Sequence, residues 1–188
     1  MKYFLLFFLN IVFGYNFKYH FFGRNFNNNN KISLIHVHDL MEQNRCYGYL
    51  STLCYSNKLK GYPYTSLVGV SLDEKGYPLL SMSDISQHTK NINKNNSISL
   101  LIPEKGLISS REKRVTFTGN INKVIDEYEK NYLKDLYLKS HENAYWLKYI
   151  DFNMYRMDNI KDIYYIGGFG KATKISVEKY LKKYIKYY

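Results

Sequence analysis

The stretch GYPYTSLVGVSLDEKGYPLLSMSDISQHTKNI, residues 61–92, constrains this chain more than any other. TSLVGVSL (65–72) is rich in β-branched and small residues and reads as a strand. Asp73 to Gly76 is a hairpin turn, and Tyr77 to Met82 is the return strand. Two strands joined this tightly can pair only antiparallel. Ser83 then caps a helix with Ile85, Thr89 and Ile92 on one face.

Around this hairpin the remaining pattern is mostly strand. CYGYLSTLCY (46–55) and SISLLI (97–102) read as strands, the second closed by Pro103. RVTFTGNINKVI (114–125) sets Val115 and Phe117 against Thr116 and Thr118, as a half-buried strand does, with Gly119 at an expected bulge. FNMYRMD (152–158) and DIYYIGG (162–168) read as two further short strands. Helices are expected from Ser33 to about Asn44, from Asp126 with Tyr128, Tyr132 and Leu136 on one side, around 142–147 with Trp146, and from Ser176 onward. Runs of strands with tight turns predict an antiparallel sheet that closes on itself: an α+β, mainly β, single domain.

The first 31 residues differ in character. Lys2 precedes an apolar run from Tyr3 to Phe13, broken only by Asn10. That run is shorter than the ~20 residues a bilayer span needs and has the form of a signal-peptide core, with Gly14 at the cleavage point. Residues 15–31 carry Lys18, Arg24 and Lys31 and no acid; the first acidic residue is Asp39. A signal peptide followed by a basic, acid-free segment predicts a bipartite leader into an apicoplast-like plastid, the alternative being the secretory pathway. The expected division is a leader over 1–31 and a domain over 32–188. No transmembrane span is expected in the mature part.

Of 188 residues, 27 are Lys or Arg and 16 are Asp or Glu, a net charge of +11. Four of the positive charges lie in the leader. The 21 tyrosines and the many Asn and Lys, beside 3 prolines, have AT-rich codons, so a skewed genome accounts for them without selection for function. A basic tail at Lys171, Lys174, Lys179, Lys182, Lys183 and Lys186 has no aromatic-plus-basic motif of a known nucleic-acid module, so nucleic acid is not the expected partner. Cys46 and Cys54 would stand ~26 Å apart on one extended strand, beyond the ~7 Å Cα spacing of a disulfide. Two buried thiols are expected.

No catalytic triad, phosphate-loop or metal-ligand spacing is present. The chemistry that stands out is at residues 65–90. Thr65 and Ser66 on one strand, Ser81 and Ser83 on its return, and Ser86, His88, Thr89 and Lys90 at the following helix start supply hydroxyls, an imidazole and an ammonium. Such a group suits a phosphate; ordinary helix capping would also explain the serines. YIGGFGKA (165–172) lacks dinucleotide-fingerprint spacing and is expected as a tight turn between the last strand and the final helix.

Residues 61–92 resemble the FMN-binding split-barrel superfamily, the pyridoxamine 5′-phosphate oxidase-like fold. The nearest branch holds the CREG glycoproteins, the HugZ-type haem-utilisation proteins and their chloroplast relatives. RCYGYLST (45–52), RVTFTG (114–119) and YIGGFGKA (165–172) resemble the same branch in the same order. The resemblance implies a six-stranded antiparallel split β-barrel with flanking helices, assembled as a homodimer that binds FMN between protomers. It implies that Ser66 faces the FMN phosphate, that Ser81 and Ser83 line the end of the return strand, and that His88, Thr89 and Lys90 hold the phosphate from the helix. Arg114 would reach the same region or form an interface ion pair. The implied function is an FMN-binding protein, in its enzymatic form an FMN-dependent oxidoreductase. The alternative is a haem-binding or haem-degrading protein, or a non-catalytic regulator of tetrapyrrole synthesis. GGFGKATKISVEKY (167–180) has no counterpart of the oxidase's Trp- and Arg-bearing substrate segment. His36, His38, His88 and His141 are the histidines open to a haem role.

Overall fold

The computed structural model describes residues 26–43, 46–56, 58–106 and 109–185. The expected signal peptide and most of the expected leader lie outside these residues. Strand β1 (Tyr47–Leu53) buries Gly48, Leu50 and Thr52 and turns Tyr47, Tyr49 and Leu53 outward, the two-residue period of a sheet with one covered face. It pairs antiparallel with β2 (Pro63–Leu72), from Leu53 opposite Pro63 to Tyr47 opposite Gly69. The hairpin to β3 (Pro78–Ser83) is fixed by Asp73, whose Oδ1 accepts the backbone N–H groups of Lys75 (2.9 Å) and Tyr77 (2.8 Å). Gly76 closes that turn at φ +83°, a left-handed backbone that glycine takes without strain.

Strands β4 (Ser97–Pro103), β5 (Arg114–Lys123) and β6 (Phe152–Ile166) complete the order β3-β2-β1-β4-β5-β6, and β3 pairs back onto β6. All these pairings are antiparallel, so the six strands form a closed barrel; β3 covers β6 only over residues 152–156, which leaves the later part of β6 an edge. A seventh strand, β7 (Ala172–Ile175), adds to β6 outside the closure. The interior is filled by Leu50, Val70, Leu80, Leu100, Val115, Phe117 and Ile163.

Helices close the barrel's ends. Helix α1 (Phe26–Met41) and α4 (Val177–Lys182) pack over one end, where Tyr180 is fully buried and its hydroxyl donates to the Gly76 carbonyl (2.9 Å). The short α2 (Gln87–Ile92) packs against β1 and β2 at the other end, where Asn91 Nδ2 donates to Thr52 Oγ1 (3.0 Å). Helix α3 (Glu127–Ser140) and a 3-10 turn (Tyr145–Lys148) cover a second small core of Leu79, Val124, Leu133, Tyr137, Leu147 and Met154. Asp126 caps α3 by accepting from Glu129 N (2.7 Å), and Ser176 caps α4 by accepting from Lys179 N (3.3 Å), both as the sequence predicts. Cys46 and Cys54 are buried free thiols, and burial pushes the Cys46 thiol up to about 11.

Several boundaries differ from expectation. Helix α1 begins at Phe26 rather than Ser33; no Gly or Pro lies between the two to stop it, although the apolar period starts only at Leu34. The strands expected at 152–158 and 162–168 are one 15-residue strand, β6. It bends rather than breaks, because β5 shifts register against it at Thr118/Gly119 and at Asn120/Asn122. Gly119 makes the first shift feasible: a Cβ there would stand 2.1 Å from the Asn159 carbonyl oxygen. The GGFG turn joins β6 to β7, not to the final helix; its Gly167 N–H donates to the Lys171 carbonyl (2.8 Å).

Candidate functional site

At the α2 end, residues far apart in sequence meet. Ser66 lies on the core-facing side of β2, two residues from buried Val68, where that strand runs out under α2. Its hydroxyl is 3.0 Å from His88 Nδ1. His88 Nε2 is 2.8 Å from Ser86 Oγ, and Thr89 Oγ1 is 2.9 Å from the same oxygen. Ser86, not Ser83, is the N-cap of α2; its side chain makes no cap bond, its hydroxyl donates to the Ser83 carbonyl (2.7 Å), and its oxygen faces His88 and Thr89 instead of a backbone N–H. Thr89 is fully buried, while Ser66, Ser86 and His88 are half-buried. Burial lowers the His88 pKa below the usual histidine value and so favours the neutral ring.

The other expected site residues lie apart from this cluster. The Ser83 hydroxyl donates to Asp151 Oδ2 and accepts from the Ile85 backbone N–H (3.3 Å). Ser81 faces the second core; its hydroxyl is buried and has no hydrogen-bond partner among the described residues. Lys90 is exposed on α2. Arg114 opens β5 opposite Pro103 and Ile166, at the barrel end held by α1 and α4, where its guanidinium donates to the carbonyls of Ser110 (2.7 Å) and Glu112 (3.2 Å). Within one chain it does not join the Ser66–His88 cluster.

Two carboxylates beside the site were not singled out from the sequence. Asp84 accepts from Lys123 Nζ (3.2 Å), Asn153 Nδ2 (2.9 Å) and Tyr155 OH (3.4 Å). Asp151 takes the Ser83 hydroxyl. Nothing local in the sequence marks Asp151, which is 68 residues from its partner. Ser86 did carry a sign, standing three residues before Thr89 at the expected helix start.

A phosphate held here finds hydroxyls and an exposed ammonium, but the hydroxyls are already engaged with one another. The four histidines among the described residues are engaged as well. His36 Nδ1 is 2.9 Å from Tyr165 OH, and His38 is buried, stacked on Tyr180 and 3.2 Å from Tyr184 OH. His141 donates from Nε2 to the Val70 carbonyl (2.9 Å). Among the described residues no group of three or more His, Cys, Asp or Glu is placed to hold a metal ion, and no helix is long and apolar enough to cross a membrane. Part of the basic tail is neutralised: Lys183 pairs with Glu42 (2.6 Å) and Lys174 with Asp162 (3.1 Å).

The outer face of β1, β2 and β4 is unlike the rest of the surface. These three adjacent strands contain no charged residue. Tyr49 stands opposite Leu67 on β2 and Leu101 on β4. Leu67 is 64% exposed, and Tyr47, Tyr49 and Leu53 are exposed beside it. Ser51, Thr65 and Ser99 form a row of hydroxyls across the same face.

Comparison with known proteins agrees with this architecture. Residues 35–182 match the family model described as CREG, β-barrel. The chain is 34% identical over 130 residues to the chloroplastic non-canonical haem oxygenase HOZ of Arabidopsis thaliana, a match covering 66% of this chain and 37% of that protein. The chain thus spans little more than a third of that curated relative. Among solved structures, a haem-binding protein from Mycobacterium smegmatis superposes with a TM-score of 0.65 at 20% identity, covering 82% of this chain and 60% of that one. A Clostridium acetobutylicum protein related to general stress protein 26, of the pyridoxinephosphate oxidase family, superposes with a TM-score of 0.60 at 18% identity, covering 80% and 98%. With the closed six-stranded barrel, its flanking helices and a family match over most of the chain, this protein belongs to the CREG β-barrel family.

Proposed function

We propose that this chain is a haem-binding split-barrel protein of a plastid, working as a homodimer whose uncharged β1–β2–β4 face holds the macrocycle between protomers. The observation that carries this reading is that face: Tyr47, Tyr49, Leu53, Leu67 and Leu101, crossed by the hydroxyl row Ser51, Thr65 and Ser99, offer large side chains with no charge to desolvate. Exposed Lys58 and Lys60, in the β1–β2 connection, would meet carboxylates at its rim. The names of two relatives support it, one a chloroplastic haem oxygenase and one a haem-binding protein. Bound haem would supply its own redox chemistry, and the chain would supply position and a dry surface.

The experiment is a haemin titration of the full chain followed by gel filtration, read as absorbance and elution volume. A retained Soret band near one haem per chain, or per dimer, supports the reading. Loss of that band in Leu67→Lys assigns it to this face. Addition of a reductant such as ascorbate under air then asks whether the band decays, which separates haem degradation from haem carriage.

A second reading is favoured by one specific arrangement. The hydroxyls of Ser66, Ser86 and Thr89 and the His88 ring gather near the start of α2, where an FMN phosphate would sit, and Lys90 is exposed on the same helix. Ser81 and Ser83 would stand behind it on β3, and Arg114 would have to come from the second protomer. Retained flavin absorbance, reduced in Lys90→Gln, would favour an FMN-dependent oxidoreductase over the haem reading.

A further inference from the structure

The hydrogen atoms of the Ser66–His88–Ser86 cluster can be placed by elimination. Ser86 has one hydroxyl hydrogen, and it points at the Ser83 carbonyl, which can only accept (2.7 Å). Ser86 Oγ must therefore accept from both other neighbours, His88 Nε2 (2.8 Å) and Thr89 Oγ1 (2.9 Å). A neutral ring that donates from Nε2 has a bare Nδ1. Nδ1 then accepts the Ser66 hydroxyl hydrogen across 3.0 Å. Every polar hydrogen of the cluster points inward, along one chain from Ser66 to His88 to Ser86 to the Ser83 carbonyl. Toward solvent the half-buried Ser66 presents only lone pairs.

A cluster polarised this way repels an oxyanion while His88 is neutral. Adding a proton to Nδ1 reverses the outer link: Nδ1–H now donates to Ser66 Oγ, and the Ser66 hydrogen is turned outward beside a new positive charge. We propose that Ser66, His88, Ser86 and Thr89 form a proton-gated oxyanion subsite, an acceptor of hydrogen-bond donors when His88 is neutral and a binder of sulfate- or phosphate-type groups when His88 is protonated. The inference rests on the phosphate position of the second reading above and needs no haem.

The surroundings leave His88 as the switch. Strands β1 and β2, against which α2 packs, hold no charged residue; their titratable side chains are Tyr47, Tyr49 and Tyr64, with Cys54 just after β1. On α2 the charged group is Lys90, which is exposed. In the turn before α2, Asp84 is occupied by Lys123 and Asn153. Helix α2 has six residues, too few for its backbone alone to hold an anion without the side chains.

Sulfate is the probe, because it stays a dianion from pH 5.5 to 7.5 while phosphate titrates. The full chain, labelled with 15N, is titrated with sulfate at constant ionic strength at both pH values, and the His88 ring nitrogens are read by long-range 1H–15N correlation. The expected result at pH 7.5 is a bare Nδ1 and a protonated Nε2, with sulfate bound about tenfold more weakly than at pH 5.5. In His88→Gln the dependence on pH should vanish while circular dichroism is unchanged. If that variant fails to fold, the wild-type ring shifts decide alone. A proton on Nδ1 at pH 7.5, or equal sulfate affinity at the two pH values, overturns the proposal. Flavin retention is read on a separate sample, so retained flavin with no pH dependence of sulfate binding overturns the gate alone, and loss of flavin with the dependence intact overturns the FMN reading alone.

Discussion

The two ends of the barrel are built from opposite materials. At the α1–α4 end, apolar and aromatic groups interlock: Tyr180 packs edge-on against Phe117, stacks on His38 and reaches Gly76 with its hydroxyl. Tyr184 and Lys183 then tie α4 to α1 by hydrogen-bonding Glu42 (2.9 and 2.6 Å). At the α2 end, Ile92 alone of the helix enters the apolar core, and the other contacts between helix and strands are polar: Asn91 to Thr52, His88 to Ser66, Ser86 to the Ser83 carbonyl. Burial of large apolar area stabilises far more than exchange of water hydrogen bonds for internal ones. The first end therefore holds the fold, and the second is free to do chemistry.

The largest effect expected is at the sealed end. Tyr180→Ala removes a fully buried ring and its hydrogen bond and should cost about 3–5 kcal/mol, measured as a shift in the urea midpoint. A cost under about 1 kcal/mol would break the comparison.

Next in size is the effect of acid. His38, at the sealed end, has its pKa lowered first by burial and then by Lys183; His88, at the polar end, has its pKa lowered by burial. A histidine whose folded pKa is depressed favours the neutral form in the native state. Stability is then full above the unfolded value near 6.5 and falls as pH drops below it, because the unfolded chain takes up the protons first. The urea midpoint should be lower at pH 5.5 than at pH 7.5. Sulfate should restore part of this loss by binding protonated His88 and none of the part due to His38. His38→Asn should flatten the remaining slope, and an unchanged midpoint between the two pH values would contradict both assignments.

The smallest effect separates structure from function most cleanly. Ser66→Ala deletes one half-exposed hydroxyl and should leave stability within about 1 kcal/mol of the parent. It should nonetheless weaken sulfate binding at pH 5.5 several-fold. A variant as destabilised as Tyr180→Ala would make the polar end structural after all.

What the sequence made legible follows the same division between local and distant causes. The Asp73–Gly76 hairpin, the Asp126 and Ser176 caps and the Gly119 bulge are set by a residue and its near neighbours, and each is found where expected. The unity of β6 depended on β5, which shifts register to follow its bend, and β7 exists only because β6 offers it an edge. Neither partner is visible from within 152–175. The site divides likewise. That His88 and Thr89 share a helix turn was local, whereas the contact of His88 with Ser66 spans 22 residues and that of Ser83 with Asp151 spans 68. Arg114 was grouped with them through family resemblance, and the strand register carries it to the other end of the barrel. Ser86 displaced Ser83 as the helix cap because the chain makes a further turn after β3 before α2 begins.

The most direct test of the account is the absorption spectrum of the purified full chain after exposure to haemin, and separately to FMN, followed by gel filtration. The account predicts a retained Soret band at a fixed ratio to the chain, lost in Leu67→Lys with the fold intact. Retained flavin without a Soret band, or a Soret band untouched by Leu67→Lys, would contradict it.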